Sequence, residues 1–360
     1  MLRQRWCALL VVVAPWMASA QQNVPLFRLG RPAWVSAEPF LTVSALRELT
    51  NGDVLVSDLG DRALLLVSRG GATRRSISRT GAGPLEYQSP TLLVALPGDS
   101  TLLIDGPARR ALLIAPTGVP VGTVRFPDAL GVGAELVRAA DGRGFLYFLS
   151  APLAPRDSRE PVVPLMRWPR RGGQSERVAL VRVPQPQPVA VPLTDGFVRE
   201  TGIQSLVARR IQPFTPQDDW VLASSGRVAI ARTDPYRVDW IEQDGRLTAG
   251  TAVTYAPIEV TEHDKLQREP SGPPFRFTYP RSKPPFQVGI LVDLHERVWV
   301  RRSMSAGAVL VRWDVFDRRG AIVGSVELPA AVRLLAFGRR FTYVLRTDDD
   351  GLEWLEAHAG

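Results

Sequence analysis

One unit recurs along the chain: a short apolar strand, a polar turn and a second apolar strand. Its clearest copy is residues 51–67, NGDVLVSDLGDRALLLV, and residues 99–114, DSTLLIDGPARRALLI, nearly repeat it. Asn, Asp and Gly favour tight turns because they accept backbone conformations that other residues avoid. A strand that is apolar at every position is typical of a sheet buried on both faces. Such units must therefore pack against one another.

Six copies of this unit can be recognised. Close neighbours are 48, 43 and 44 residues apart, a period typical of a four-stranded propeller blade. A closed ring of blades buries the sheet faces and leaves only short edges. The sequence therefore predicts an all-β fold, a six-bladed β-propeller. The first strands of the six units are centred near Leu55, Leu103, Leu146, Ala229, Trp299 and Tyr343.

Ring closure usually needs one blade that combines both ends of the chain. The last unit, residues 332–357, supplies about three strands. Residues 26–35, LFRLGRPAWV, can supply a fourth. We therefore expect the N-terminal strand to complete the last blade.

Two motifs carry a family resemblance. Residues 52–58, GDVLVSD, with Asp61 and Arg62 after them, resemble an NHL-type repeat. Residues 81–87, GAGPLEY, resemble the G-x-G-P-x-E-aromatic signature of bacterial secreted six-bladed propellers of the TolB-like group, and residues 218–265 look similar to that group. The resemblance implies the propeller fold for most of the mature chain and no particular activity, since propellers host many unrelated functions. At this motif we expect Gly81 and Gly83 to adopt conformations closed to other residues.

The N-terminal residues indicate export. Arg3 and Arg5 precede an apolar run over residues 8–17, and residues 18–20, ASA, form an A-x-A cleavage site. We predict a signal peptide at residues 1–20, cleaved after Ala20, and a periplasmic or extracellular protein; the alternative is an uncleaved anchor. The run is shorter than the ~20 residues that a membrane span requires, so no span is predicted in the mature chain. Cleavage also removes Cys7, the only cysteine.

The net charge is positive but dispersed. It is +8 for the whole chain, and losing Arg3 and Arg5 lowers it to +6. Nearly all the basic residues are arginines scattered beside Asp or Glu, and no basic run appears. Nucleic acid is therefore not a predicted partner. The charge is explained either by a solvated surface or by an anionic ligand in the envelope or outside the cell.

Two Pro-rich regions interrupt the repeat, near residues 151–214 and 255–287. Their proline content argues against central strands, and we expect both to leave the ring as insertions. Long loops on a rigid scaffold often bind ligands. The second insertion mixes aromatic and basic side chains, which either contact a ligand or attach the insertion to the ring. The candidates are Phe275, Phe277, Tyr279, Arg281 and Phe286.

Common catalytic patterns are missing from the sequence. Its three histidines lie far apart, without H-E-x-x-H, and there is no G-x-S-x-G. Lactonase-type propellers hold a metal with Glu, Asp and Asn, but this chain has only Asn23 and Asn51. Residues 348–351, DDDG, are typical of a hairpin turn rather than of a calcium loop with alternating ligands. We therefore predict no metal, no cofactor and no catalytic residue.

A binding site in this fold is expected at the mouth of the central channel. We expect the inner strands to line the channel and the turns at their ends to form its mouth. Charged residues recur at equivalent positions of these turns, where they either bind a ligand or pair with one another. The candidates are Asp58, Arg62, Asp105, Arg109, Arg232, Asp234, Arg301, Arg346 and Asp348.

Three functions remain open. The first is a monomeric exported module, without catalysis, that binds a protein or an anionic ligand at the channel mouth and the insertions. The second is a metal-dependent hydrolase or lyase with oxygen ligands in the channel. The third is a scaffold within an envelope or secreted complex. Convergence of three acidic side chains would favour the second, and an exposed aromatic patch on residues 255–287 would favour the third.

Overall fold

The computed structural model describes residues 29–126, 137–150, 162–184, 187–191, 206–268 and 277–359, of which 187–191 and 206–210 are described by their backbone alone. The predicted signal peptide and Phe275 lie outside these residues, so the signal peptide stays a prediction. None of the helices in the described ranges is long and apolar enough to cross a membrane.

Six four-stranded antiparallel sheets follow one another along the chain. Blade 1 contains β2 (Val43–Glu48), β3 (Val54–Asp58), β4 (Ala63–Val67) and β5 (Arg74–Ser76). Blade 2 contains β6 (Leu92–Ala95), β7 (Thr101–Asp105), β8 (Arg110–Ile114) and β9 (Pro120–Arg125). Blade 3 contains β10 (Ala139–Ala140), β11 (Phe145–Leu149), β12 (Val162–Pro169) and β13 (Glu176–Arg182).

The second half of the ring has the same organisation. Blade 4 contains β16 (Asp219–Leu222), β17 (Val228–Thr233), β18 (Tyr236–Ile241) and β19 (Leu247–Thr248). Blade 5 contains β22 (Phe286–Val292), β23 (Val298–Arg302), β24 (Leu310–Phe316) and β25 (Ile322–Pro329). Blade 6 contains β26 (Val332–Phe337), β27 (Phe341–Thr347), β28 (Glu353–Ala359) and the N-terminal β1 (Trp34–Val35).

These sheets confirm the predicted six-bladed β-propeller and its closure by the N-terminal strand. In the closing blade Trp34 pairs with Ala357, and Val35 pairs with Glu356. The Trp34 ring packs edge-on against Tyr343, with centroids 6.0 Å apart. An aromatic contact thus reinforces a strand of only two residues.

The first strands of the blades are the innermost. Consecutive first strands lie against each other, β2 on β6, β6 on β10, β10 on β16 and β16 on β22, and β26 lies on β2. Each recurring unit of the sequence is therefore the second and third strand of a blade, one strand farther from the axis than expected. The first strands are harder to predict because three of them, β6, β10 and β16, have only two to four residues and most are only partly buried, as in β10.

The predicted first insertion, near residues 151–214, includes residues that belong to blade 3. Residues 162–182 are the third and fourth strands of blade 3, although Pro164 lies within β12. The Pro164 carbonyl accepts a hydrogen bond from the Ser150 N–H on the side of β11, beyond the last β11–β12 pair, Leu149 with Leu165. The proline ring therefore removes a donor where the ladder has already ended. Outside the six blades, β14 (Gln187–Val191) pairs with β15 (Leu206–Arg210) in a separate hairpin.

The second insertion forms a small substructure. It contains β20 (Ile258–Glu259), helix α1 (Glu262–Arg268) and β21 (Ser282–Lys283), and β20 pairs with β21. A reciprocal cap begins the helix: the Thr261 N–H donates to Asp264 Oδ2 at 2.9 Å, and the Asp264 N–H donates to Thr261 Oγ1 at 3.3 Å. The insertion ends directly at blade 5, so its helix lies beside that blade.

Candidate functional site

The predicted mouth residues share one end of the ring. All lie at the end of a second strand or in the turn to the third strand, and antiparallel blades place these turns on one face. We call it the turn face. Its candidates are Asp58, Arg62, Asp105, Arg109, Arg232, Asp234, Arg301, Arg346 and Asp348.

The two buried aspartates of this set serve the backbone. Asp58 is fully buried, and its carboxylate accepts hydrogen bonds from the backbone N–H groups of Leu41, Thr42 and Gly60. Asp105 accepts in the same way from Gln88 and Ser89. Each carboxylate thus fixes the segment that enters the first strand of its own blade, which leaves little capacity for a ligand.

Asp348 stabilises a hairpin. Its Oδ1 accepts from the backbone N–H groups of Asp350 and Leu352, and its Oδ2 accepts from Trp354 Nε1 at 2.7 Å. The Trp354 hydrogen bond, followed by that from the Leu352 N–H, lowers the pKa of Asp348. Asp293 repeats the pattern toward His295, Arg297 and Trp299. Because the same hydrogen-bond pattern occurs at two hairpins, we infer that these aspartates stabilise turns.

Two of the predicted arginines are neutralised by acids. Arg232 contacts Asp218 at 2.8 Å and Asp239 at 3.1 Å. Arg346 contacts Glu356 at 2.7 Å. Asp234 is exposed in the turn between β17 and β18.

Arg62 and Arg109 occupy matching turn positions. Both are exposed and both have a left-handed backbone, with φ values of 52° and 50°. Their equivalence follows from the repeat.

Arg301 differs from the other candidates. It is exposed at the end of β23, and no carboxylate of the described residues lies within ion-pair distance. Partial burial of the guanidinium, and then the charge of Arg333, lower the pKa of Arg301. Its charge is therefore unneutralised in a cationic environment, where an anion would be stabilised.

Arg301 lines a cavity of about 390 Å³ between α1 and blade 5. The walls also include Arg268 from the helix, Ser303 from the turn after β23 and Val288 from β22. The buried Oγ of Ser303 has no hydrogen-bond partner in the described part of the chain. We call this space the insertion cavity. It combines two arginines that no described carboxylate pairs, Arg268 and Arg301, with a free hydroxyl and apolar walls, as small-ligand sites do.

A buried ion pair forms part of the cavity wall. Lys283 Nζ lies 2.6 Å from Asp264 Oδ1 and donates to the Met304 carbonyl at 2.6 Å. Burial alone raises the pKa of Asp264, but hydrogen bonds from Lys283 and Thr261 outweigh it, and the pKa is lowered. Asp264 is therefore ionised at neutral pH and forms an ion pair with Lys283.

Phe214 contributes a strained backbone to the same wall. Its φ is 60°, a conformation that bulky residues seldom adopt. Lys283 Nζ lies 5.3 Å and Arg268 Cζ 5.7 Å from its ring centroid, so two cations contact one aromatic ring. Strain of this kind concentrates at ligand sites.

The predicted aromatic residues of the second insertion divide into two groups. Tyr279 packs on Phe214 and Phe277, with centroids 6.4 and 6.1 Å apart, behind the cavity wall. Phe286 is fully buried in the core between blades 4 and 5 and is unavailable to a ligand. Arg281 is exposed.

Sequence reasoning singled out Arg301 but missed the rest of the insertion cavity. Lys283 carries no local sequence signal that would mark it as part of a site. The Thr261–Asp264 capping box was the one local signal for α1. No three His, Cys, Asp or Glu side chains of the described ranges are grouped as metal ligands would be.

No protein-family model matches the sequence, and no curated protein is similar enough to match. Several solved structures are similar to it over most of their length. A member of the DUF4221 family from Bacteroides vulgatus has 9% identity and a TM-score of 0.49 over 92% of this chain and 97% of its own. A gluconolactonase from Xanthomonas campestris has 11% identity and a TM-score of 0.46, with coverage of 92% and 99%.

A virginiamycin B lyase from Staphylococcus aureus has 10% identity and a TM-score of 0.37 over 89% of this chain and 85% of its own. These likenesses are structural only. At such identities they assign neither a family nor an activity.

Proposed function

We propose that this protein is an exported binding module that holds an anionic ligand in the insertion cavity and performs no catalysis. The observation that carries the proposal is the pair Arg268 and Arg301, two cations that line one cavity without a carboxylate partner in the described residues. Arginine forks match the geometry of carboxylate and phosphate groups. The ligand is a small anion or an anionic group on an envelope partner.

The neighbouring arginines support this interpretation. Arg302 lines the same cavity but contacts Asp314 at 2.8 Å. Arg333 contacts Glu353 at 2.9 Å. Acids thus neutralise the arginines around Arg301, while Arg301 itself keeps its charge toward the cavity. An arginine that only solvates the protein surface would more often lie on an open part of that surface than inside a cavity.

The ion pair in the wall favours binding over catalysis. A lysine that acts as a general base needs an amine free to reach the substrate. Lys283 Nζ instead donates to Asp264 Oδ1 and to the Met304 carbonyl, both at 2.6 Å. These contacts make Lys283 a structural part of the wall.

The test is isothermal titration of the purified mature protein with citrate, in chloride buffer of constant ionic strength. Arg301→Gln should weaken binding about tenfold or more, since a hydrogen bond between charged groups contributes about 1.5–3 kcal/mol. Arg319→Gln is the matched control, because Arg319 is exposed in the turn between β24 and β25, on the opposite face of the same blade. An equal loss of citrate affinity in Arg301→Gln and Arg319→Gln would show that the insertion cavity is not the binding site.

A further inference from the structure

The third and fourth strands of the blades repeat a charge pairing. In blade 3 Arg167 lies opposite Glu176, and their side chains are 2.7 Å apart. In blade 5 Arg312 lies opposite Glu327. In blade 2 the pattern changes, because Arg110 lies opposite Arg125. Blade 2 therefore places an arginine where two other blades place a glutamate.

Directly opposite residues of an antiparallel pair point to the same face of the sheet, and like charges at such positions are destabilising. Arg110 is largely buried, donates to the Glu86 carbonyl at 2.8 Å and lies 3.6 Å from Asp105. Asp105 is already committed to the backbone N–H groups of Gln88 and Ser89. It offers at most a long contact to one of the two guanidinium groups.

Arg125 is exposed, and no described carboxylate lies within ion-pair distance of it. The side chains that share its face of β8 and β9, two residues along each strand, are Leu112 and Thr123. Neither is acidic. The long contact between Arg110 and Asp105, which lies opposite Arg110 in the β7–β8 pair, is thus the only described compensation on that face, and it does not reach Arg125.

Blade 4 shows how this chain neutralises two facing arginines. Arg232 lies opposite Arg237, and both contact the buried Asp239, at 3.1 and 2.7 Å. That pair lies on the second and third strands of blade 4, whereas the facing arginines of blade 2 lie on its third and fourth strands, share no such buried acid and border an open cavity of about 440 Å³. That cavity is lined by Gln88, Arg109, Arg110, Arg125 and Phe126, among others.

We propose that Arg110 and Arg125 form a second oxyanion site, which takes a carboxylate or phosphate group between their two guanidinium groups. Blades 2 and 5 are three blades apart, so this site and the insertion cavity lie on opposite sides of the ring. The inference rests on the strand register of blade 2 and stands whether or not the insertion cavity binds a ligand.

The experiment measures thermal unfolding of the mature protein in the Arg301→Gln background, which separates this site from the insertion cavity. Inorganic phosphate and citrate are added separately at constant ionic strength against chloride. Each anion that binds should raise the Tm, and Arg125→Gln should remove at least half of that rise. A rise with phosphate alone indicates phosphate groups, and a rise with citrate alone indicates carboxylates; either supports the proposal.

Two further variants sharpen the test. Arg125→Glu restores the pairing of blades 3 and 5, so it should melt about 1–2 °C higher in chloride and lose the anion response. Arg237→Gln in blade 4 should lower the Tm and leave the anion response intact.

Two results would overturn the proposal. One is that the anions raise the Tm of Arg125→Gln as much as that of its Arg301→Gln parent, or that they raise the Tm of neither protein. The other is a lower Tm of Arg125→Gln in chloride, because it would mean that an acidic group of the chain already neutralises Arg125.

Discussion

Lys283 Nζ and Asp264 Oδ1 lie 2.6 Å apart, and both side chains are buried. The pair joins β21 to α1, and the Lys283 hydrogen bond to the Met304 carbonyl joins both to blade 5. Two charges and one carbonyl thus hold the helix over the insertion cavity. The ion pair determines the position of Arg268 relative to Arg301, although neither arginine takes part in it.

Asp264→Asn should destabilise the protein by about 3–5 kcal/mol at neutral pH, because it leaves a buried ammonium group without its counter-charge. The lowered pKa of Asp264 gives the sign of the pH dependence: its stabilisation is complete above the ordinary pKa of an aspartate and is lost as the pH falls through the lowered value. Urea unfolding at several pH values should therefore show the wild-type advantage shrinking in acid.

The control for this prediction replaces both charges. Asp264→Leu with Lys283→Met should cost much less than Asp264→Asn alone, since an apolar pair of similar size often substitutes for a buried ion pair. A double variant as unstable as the single one would show that the destabilisation comes from lost packing or capping.

Gly70 and Gly71 provide a matched test of ring closure. Both have positive φ, 93° and 76°. A Cβ on Gly70 would meet nothing within 4 Å, whereas one on Gly71 would lie 2.5 Å from the Trp34 ring of the closing strand. Gly70→Ala should lower the free energy of unfolding by about 1 kcal/mol, and Gly71→Ala should lower it by clearly more. Similar Tm values for the two variants would argue against the contact with Trp34.

The glycines of the GAGPLEY motif serve a different purpose from the one the sequence suggests. Gly81 and Gly83 do not have positive φ. They make room for Glu86, whose carboxylate accepts from the Gly83 N–H at 2.8 Å and pairs with Arg79 at 2.6 Å. A Cβ on Gly81 would overlap Glu86 Oε2.

Gly81→Ala should therefore destabilise blade 1 by about 1–3 kcal/mol, as overpacking does. Adding Glu86→Ala should relieve the overlap, so the two changes together should cost less than the sum of their separate effects. The free energies of unfolding of a double-mutant cycle measure this. Additive costs would mean that the glycine is needed for another reason.

Asp58→Ala should cost about 2–4 kcal/mol, because it leaves the buried N–H groups of Leu41 and Thr42 without an acceptor. Citrate binding to the insertion cavity should be unchanged in the fraction that remains folded. A loss of binding with normal stability would instead place Asp58 in the ligand site.

The blade repeat could be predicted because it depends on local residues: apolar strands separated by Asn, Asp and Gly turns. The inner strands were harder to recognise. β10 has only two residues, and its position depends on contacts with neighbouring blades. Prolines near 162–182 concealed two regular strands, since the effect of Pro164 depends on which side of the strand has a partner.

The candidate site was only partly predictable. Equivalent turn positions identified Arg301, but they selected Asp58 and Asp105 as well, because position alone does not distinguish a free side chain from one bonded to the backbone. Lys283, Asp264 and Phe214 are separated by up to 69 residues. They come together only through the packing of an insertion, for which the sequence has no periodicity.

The pairing of Trp34 with Ala357 also determines when folding can finish. Residue 34 leaves the ribosome long before residue 357 does. Blade 6 therefore cannot close before residues 353–359 are available, and a contact across such a sequence separation is intrinsically slow to form. Until β28 (Glu353–Ala359) has formed, the ring is open and the edges of β1 and β27 are unpaired, so ring closure is the step before which this protein is most exposed to aggregation and proteolysis.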